Sequence, residues 1–268
     1  MAPVEERFVG GELPRVEGAL ADGLISAVTV RPLDFGLHTE TPAREVSAAH
    51  RALRVWAAGR FGLVVGGAQV HGARLFRADD VRVPEPAGRQ APATIRVASY
   101  DGFLASKPGI LLTVGVADCV PAFLAAPARG AVALLHAGWR GAAAEIVPRA
   151  VAALGSEMGV EPAEIRAWWG PAIGPCCYPV GEEVVRALDA TAAGREPGAW
   201  RLEADGGPAR VDLRAALTLQ VVAAGVPRDA VSSSTLCTSC DARLHSYRRE
   251  QGGGGRMLAL AGWAEEGR

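Results

Sequence analysis

What the chain lacks first is an excess of charge: 28 basic side chains stand against 29 acidic ones in 268 residues, a formal net of -1. It therefore carries no overall electrostatic footprint for nucleic acid or for an anionic membrane, and any anion it binds must be met by a local group of cations. Lysine is almost missing, Lys107 being the only one, so those cations are arginines. Long uninterrupted apolar runs are missing too. The nearest, residues 108–128, holds Asp118 and Pro121 near its centre. An aspartate there costs roughly 2.5–3.5 kcal/mol in a bilayer, so the segment is expected to form buried strands. The first residues, MAPVEERFVGGELP, carry glutamates where an export signal would carry basic residues, with no apolar run behind them. That pattern predicts a cytoplasmic protein with no membrane partner. Five cysteines, at 119, 176, 177, 237 and 240, are an odd number in a long chain. They argue against a disulfide framework and for a reducing compartment. The 33 glycines and 18 prolines stay below the combined share of about 25–30% that marks low complexity.

What is present reads as a mixed α/β chain of α+β type, organised as one domain over residues 1–268. Residues 42–58 place Val46, Ala49, Leu53 and Trp56 at helical spacing and put His50 on the solvent side. The apolar runs 110–116, 120–125 and 131–135 are too short for helices and read as strands, with the first and third expected to be neighbours. VDLRAALTLQVVAAG offers Asp212 as N-cap and Gly225 as stop for a further helix. Pro148 predicts an irregular boundary in the helical stretch after HAGWRG. Residues 83–93, 193–209 and 252–255 are the most loop-like.

The residues that can do chemistry lie at strand ends. His71 in QVHG, Cys119 in ADC and His136 in HAGWRG follow such segments, and a His/His/Cys set offers zinc three suitable donors with a fourth position left for water or substrate. Read singly, each is more often a hydrogen-bonded histidine or a small buried thiol. Cys237 and Cys240, in CTSC, have the spacing of half a zinc knuckle. The other half would have to come from the adjacent Cys176 and Cys177, whose zero spacing is wrong, so unreactive thiols are expected. Arg140, Arg248 and Arg249 are the cationic candidates, because a guanidinium fork matches phosphate oxygens; the plainer reading pairs them with Glu145 or Glu250. Trp168 and Trp169 are expected in the core.

QVHG, DGFLAS, ADCVPAFLAAP, HAGWRGAAAEIV, GPAIGPCCYPVGEEV, DLRAAL and CTSCDARLHSYRRE occur in this order. Together they resemble the YfiH-like family, also known as laccase-domain or polyphenol oxidase proteins, over about residues 30–263. The resemblance implies a single mixed-sheet domain of the YfiH-like cysteine hydrolase type, with His71, Cys119 and His136 as zinc ligands. It also implies a purine nucleoside phosphorylase acting on adenosine, inosine and methylthioadenosine, with adenosine deaminase activity beside it. Nucleoside and phosphate would be its partners.

Three departures stand out. AVTVRPLDFGLHTETP replaces the family's FTTR and GGVS segment, with Arg31 as the stand-in arginine. Leu217 takes the place of an asparagine, and Glu250 that of an aspartate after SYRR. Copper is the less favoured metal, because five histidines without a single His-x-His pair cannot furnish a trinuclear cluster, and a blue-copper site would add an axial ligand such as methionine. Within the zinc reading, Asp118 or Glu182 would handle protons, and Arg140, Arg248 and Arg249 would hold phosphate. Two alternatives are a peptidoglycan editing factor acting on a muropeptide precursor through Cys119, and a noncatalytic binding module whose zinc is closed by a fourth protein ligand.

Overall fold

A computed structural model describes residues 5–36, 42–82, 91–202 and 207–265. His38, residues 83–90 of the expected 83–93 loop, and residues 203–206 of the 193–209 loop lie outside that set. The chain opens with β1 (Glu6–Val9), β2 (Arg15–Gly18) and β3 (Leu24–Thr29), then α1 (Ala43–Ala57) and β4 (Leu63–Ala68). β5 (Leu75–Arg77), β6 (Ala93–Ala98), β7 (Gly102–Ala105), β8 (Ile110–Val116), β9 (Val120–Ala126) and β10 (Ala131–Ala137) follow. Next come α2 (Trp139–Ala143), α3 (Ile146–Met158), β11 (Arg166–Trp169) and α4 (Glu182–Asp189). The chain ends with the short pair β12 (Arg201–Leu202) and β13 (Arg210–Val211), then α5 (Leu213–Ala223), β14 (Val231–Ser233) and β15 (Met257–Trp263).

Two mixed sheets result, in strand orders β1-β2-β3-β15-β8-β4-β6 and β14-β11-β9-β10-β7-β5. Alternation along the strands explains why they stack. In β9, Val120, Ala122 and Leu124 face one core while Phe123 and Ala125 face another; in β10, Ala133 and Leu135 part from Val132 and Leu134 in the same way. One face of the second sheet is covered by α3, α4 and α5 through Val147, Val151, Leu188 and Leu217. Its other face meets the first sheet, where Phe103, Phe123 and Trp168 pack with Val65, Leu112 and Val114. The outer side of the first sheet is closed by α1, whose Leu53 and Trp56 pack on Val64, Leu111 and Leu258. With both faces of the central strands buried, near-continuous apolar runs such as LLTVGV and VALLHA have to be strands, because a helix would leave part of their circumference to water.

The helix expected over 42–58 forms as α1, burying Val46, Ala49, Leu53 and Trp56. Asp212 caps α5, accepting from the amides of Arg214 and Ala215 at 3.0 and 3.3 Å. Two expectations fail. His50 does not face solvent: it is half-buried against Phe35, with ring centroids 5.2 Å apart, and its Nε2 is enclosed without a partner among the described residues. β8 and β10 are not sheet neighbours either. β8 lies between β15 and β4 in the first sheet, whereas β10 lies between β9 and β7 in the second. Apolar content alone cannot say which of two buried sheets a strand joins.

Candidate functional site

Cys119 and His136 meet by a different route from the one expected. The chain leaves β8 and crosses from one sheet to the other through Ala117, Asp118 and Cys119, where Asp118 takes a left-handed conformation at φ 86°. β9 and β10 then pair antiparallel with His136 opposite Pro121, so the start of β9 and the end of β10 lie side by side. His71 arrives on the loop after β4, also left-handed, at φ 59°. The ring centroids of His71 and His136 are 4.7 Å apart, and the ligand atoms of His71, Cys119 and His136 all lie within 4.8 Å of one another. Gly138 makes room for them: a Cβ there would come 2.8 Å from the Cys119 sulfur and 3.3 Å from the His71 ring.

Asp101 ties this cluster together and was missed in the sequence, although it opens the quoted DGFLAS. Fully buried, it accepts from the amides of Val70, His71 and Gly72 at 3.1, 2.9 and 2.9 Å, which fixes the histidine loop. Its Oδ1 also takes a hydrogen bond from His136 Nδ1 at 2.9 Å. A carboxylate can only accept, so Nδ1 carries the proton and Nε2 is left for the cluster. The electrostatics follow. Burial raises the Cys119 thiol, but the His136 and His71 imidazoles outweigh it and bring the pKa down to about 6. Burial lowers His136, but the Cys119 thiolate and Asp101 outweigh it and bring it up to about 9. The pair is poised as thiolate and imidazolium, the state from which a metal displaces a proton.

The cluster forms part of the wall of a cavity of about 900 Å³, which also receives Asp118, Arg140, Tyr178 and Arg248. Arg140 stacks on Trp139 with its guanidinium carbon 4.3 Å from the ring centroid, and Arg248 lies over Tyr178 at 5.4 Å. Among the described residues no carboxylate pairs with either guanidinium. Glu145 and Glu250 thus leave both free to meet an anion. Burial pushes the Tyr178 hydroxyl up to about 12, so it stays a neutral donor. Asp118 is a brace: its Oδ1 accepts from Thr238 Oγ1 at 2.6 Å and its Oδ2 from the Arg248 amide at 2.7 Å.

Arg249 does not reach the cavity. Its Nη1 donates to the carbonyls of Thr238, Ser239 and Asp241 at 2.7, 3.3 and 3.1 Å, and its Nη2 to Glu250 at 2.8 Å. Its fork is spent on holding a loop, so the phosphate role expected for it is withdrawn. Glu250, in the place of the family's aspartate, also pairs with Arg31. Glu182 opens α4 on a separate cleft with Arg186 and Arg201, away from the cluster, and is withdrawn as a proton carrier. Arg256, Tyr247 and His50 line the cavity as well; Tyr247 lies in the quoted CTSCDARLHSYRRE string without having been given a role, His50 had been expected at the surface, and no motif string marked Arg256. The structure adds one juxtaposition that spacing along the chain had argued against. Cys176 and Cys177 do converge on Cys237 and Cys240, with all four sulfurs within 4.8 Å of one another.

The profile of a family described as multi-copper polyphenol oxidoreductase laccase matches residues 21–264. The purine nucleoside phosphorylase YlmD of Geobacillus stearothermophilus is 40% identical over 235 residues, 87% of this chain and 84% of that protein. The crystal structure of YlmD from Geobacillus stearothermophilus shares the fold at a TM-score of 0.84 and 33% identity, covering 97% of this chain and 100% of the other. The hypothetical protein YfiH of Bacillus licheniformis does so at 0.82 and 27%, covering 96% and 98%. The donor set does not fit the copper cluster that the family's description suggests. The chain has five histidines in all, and among the described residues only His71 and His136 join a group that could hold a metal. It does fit one zinc ion, for which two imidazoles and a thiolate are suitable ligands with a position left open.

Proposed function

This chain belongs to the multi-copper polyphenol oxidoreductase laccase family, and we propose that it is a zinc-dependent purine nucleoside phosphorylase acting on adenosine, inosine and methylthioadenosine, with adenosine deaminase activity at the same site. The observation that carries this reading is the placing of His71, Cys119 and His136 on the wall of a cavity that also takes two guanidinium groups which, among the described residues, no carboxylate pairs with. Relatives named purine nucleoside phosphorylase support it. The single YfiH-like domain over residues 1–268 and its place in the cytoplasm are part of the same reading.

His71, Cys119 and His136 would hold the zinc, with Asp101 fixing the His136 tautomer. A zinc ion held there would supply Lewis-acid chemistry, the kind that both base departure and deamination of adenosine call for. In phosphorolysis a phosphate oxygen forms a bond to the anomeric carbon while the bond from that carbon to the base breaks, and the base leaves with the electron pair. Arg140 and Arg248 hold the phosphate through paired N–H donors, as guanidinium geometry allows. Tyr178, kept neutral, offers a hydrogen-bond donor to whatever occupies the cavity, and Asp118 keeps Arg248 in place through its amide.

Product analysis tests the reading. Zinc-loaded protein given adenosine, inosine and methylthioadenosine should release free base only when phosphate is present, and should form inosine from adenosine without it. Absence of base release from all three in the presence of phosphate would sink the phosphorylase assignment.

A further inference from the structure

The loop after β11 carries Cys176 and Cys177, and the segment after β14 carries Cys237 and Cys240. They are about sixty residues apart in sequence, yet the Cys240 sulfur lies 3.6 Å from that of Cys176 and 3.4 Å from that of Cys177. All four sulfurs lie within 4.8 Å of one another, and no disulfide joins them. We propose that Cys176, Cys177, Cys237 and Cys240 form a second metal site, a closed tetrathiolate zinc centre that locks two walls of the cavity together.

Four sulfurs around zinc at about 2.3 Å, placed tetrahedrally, are separated by about 3.8 Å. The Cys240 separations of 3.6 and 3.4 Å are close to this, and the remaining pairs lie within 4.8 Å, without any bond between sulfurs. Hydrogen bonds between thiols do not require four cysteines from two distant segments to converge, whereas a soft cation does. The backbone is shaped for it. Cys237 to Cys240 form a tight turn in which the amides of Cys240 and Asp241 donate to the Cys237 carbonyl at 3.1 and 2.9 Å. The Gly174 amide donates to the Cys237 sulfur at 3.2 Å, as N–H groups do to metal-bound thiolates. A Cβ at Gly174 would come 3.3 Å from the Cys176 sulfur and 3.4 Å from Cys237, so the glycine keeps the pocket open. Arg210 donates to the Cys176 carbonyl at 2.5 Å and steadies the first loop. Adjacent cysteines serve here because the chain turns at Cys176 and Cys177 instead of running extended, so both sulfurs reach the same point.

The position gives the site its purpose. Tyr178 follows Cys177 directly, and Thr238, within the CTSC turn, donates to Asp118, which in turn holds the Arg248 amide. Zinc binding would replace four thiol protons with one divalent cation, no electron being transferred, and would fix Tyr178 and Arg248 on their walls. A site with four protein ligands has no open position and performs no chemistry of its own.

The test uses the full chain and zinc alone as probe, and does not depend on the phosphorylase reading. Metal analysis should give about two zinc ions per chain in the parent, about one in Cys176→Ser/Cys240→Ser, and about one in His71→Ala/His136→Ala. For a variant that fails to fold, alkylation of the parent decides: Cys176, Cys177, Cys237 and Cys240 should resist iodoacetamide with zinc bound and all react once a strong chelator removes it. Cobalt(II) bound by His71→Ala/His136→Ala should show the intense charge-transfer absorption of four thiolates. Rapid alkylation of these four cysteines in zinc-loaded parent, or a disulfide between any two in reducing buffer, would overturn the proposal.

Discussion

The Asp101 carboxylate accepts a 2.9 Å hydrogen bond from His136 Nδ1 while three consecutive amides, Val70 to Gly72, donate to the same group. One buried side chain therefore sets both the tautomer of one candidate ligand and the loop of another. Replacing Asp101 with asparagine keeps the size but removes the charge. Removing such a partner typically costs 10–100-fold in metal affinity. Asp101→Asn should accordingly lose triad zinc to a competing chelator at roughly that lower threshold. Unchanged affinity would mean that the amides alone hold the site.

Gly138 has φ -77°, which any residue adopts, so an alanine there meets no backbone strain. Its Cβ would nonetheless sit 2.8 Å from the Cys119 sulfur. Gly138→Ala should keep the circular dichroism of the parent and lose most of the triad's zinc and catalytic activity. Full zinc occupancy would show that Cys119 has room to move.

In metal-free protein the Cys119 thiol titrates at about 6 in place of the usual 9. The thiolate is the nucleophile. Alkylation of Cys119 should therefore rise through pH 6 and level off by about pH 7, where an ordinary thiol is still slow. His136→Gln removes the neighbouring imidazolium, and should shift the midpoint upward. A midpoint near 9 in the parent would contradict the thiolate–imidazolium pairing.

Arg140 and Arg248 differ from Arg249 in what their guanidiniums touch. Arg140→Lys and Arg248→Lys should raise the phosphate KM with zinc retained, by the equivalent of about 1.5–3 kcal/mol for each charged hydrogen bond lost. Arg249→Lys should leave the phosphate KM near that of the parent and lower Tm, because three carbonyl contacts lose their fork. A raised phosphate KM in Arg249→Lys alone would reverse this assignment.

The sequence made local chemistry legible and long-range pairing illegible. Helical spacing placed α1 and alternation marked the strands, because those patterns depend only on near neighbours. That β8 and β10 belong to different sheets depends on the crossing at Ala117–Cys119, which no periodicity announces. His71, Cys119 and His136 were visible as donors of the right type at strand ends. Asp101 was not, since a buried aspartate at a strand start looks like any turn residue until its three amide partners are in place. The convergence of the four cysteines was hidden for a similar reason: spacing along the chain says little about a cluster assembled from two segments. Arg249 shared its motif with Arg248, and only the direction of the side chain separates them.

The central claim is that the His71, Cys119 and His136 cluster makes this cavity a phosphorolytic site. Phosphorus NMR of zinc-loaded protein with inosine and phosphate tests it most directly, run beside Cys119→Ala in the same buffer. The account predicts a ribose 1-phosphate resonance that grows in step with free hypoxanthine in the parent and is absent in the variant. Hypoxanthine released with no sugar phosphate, or equal conversion by Cys119→Ala, would contradict it.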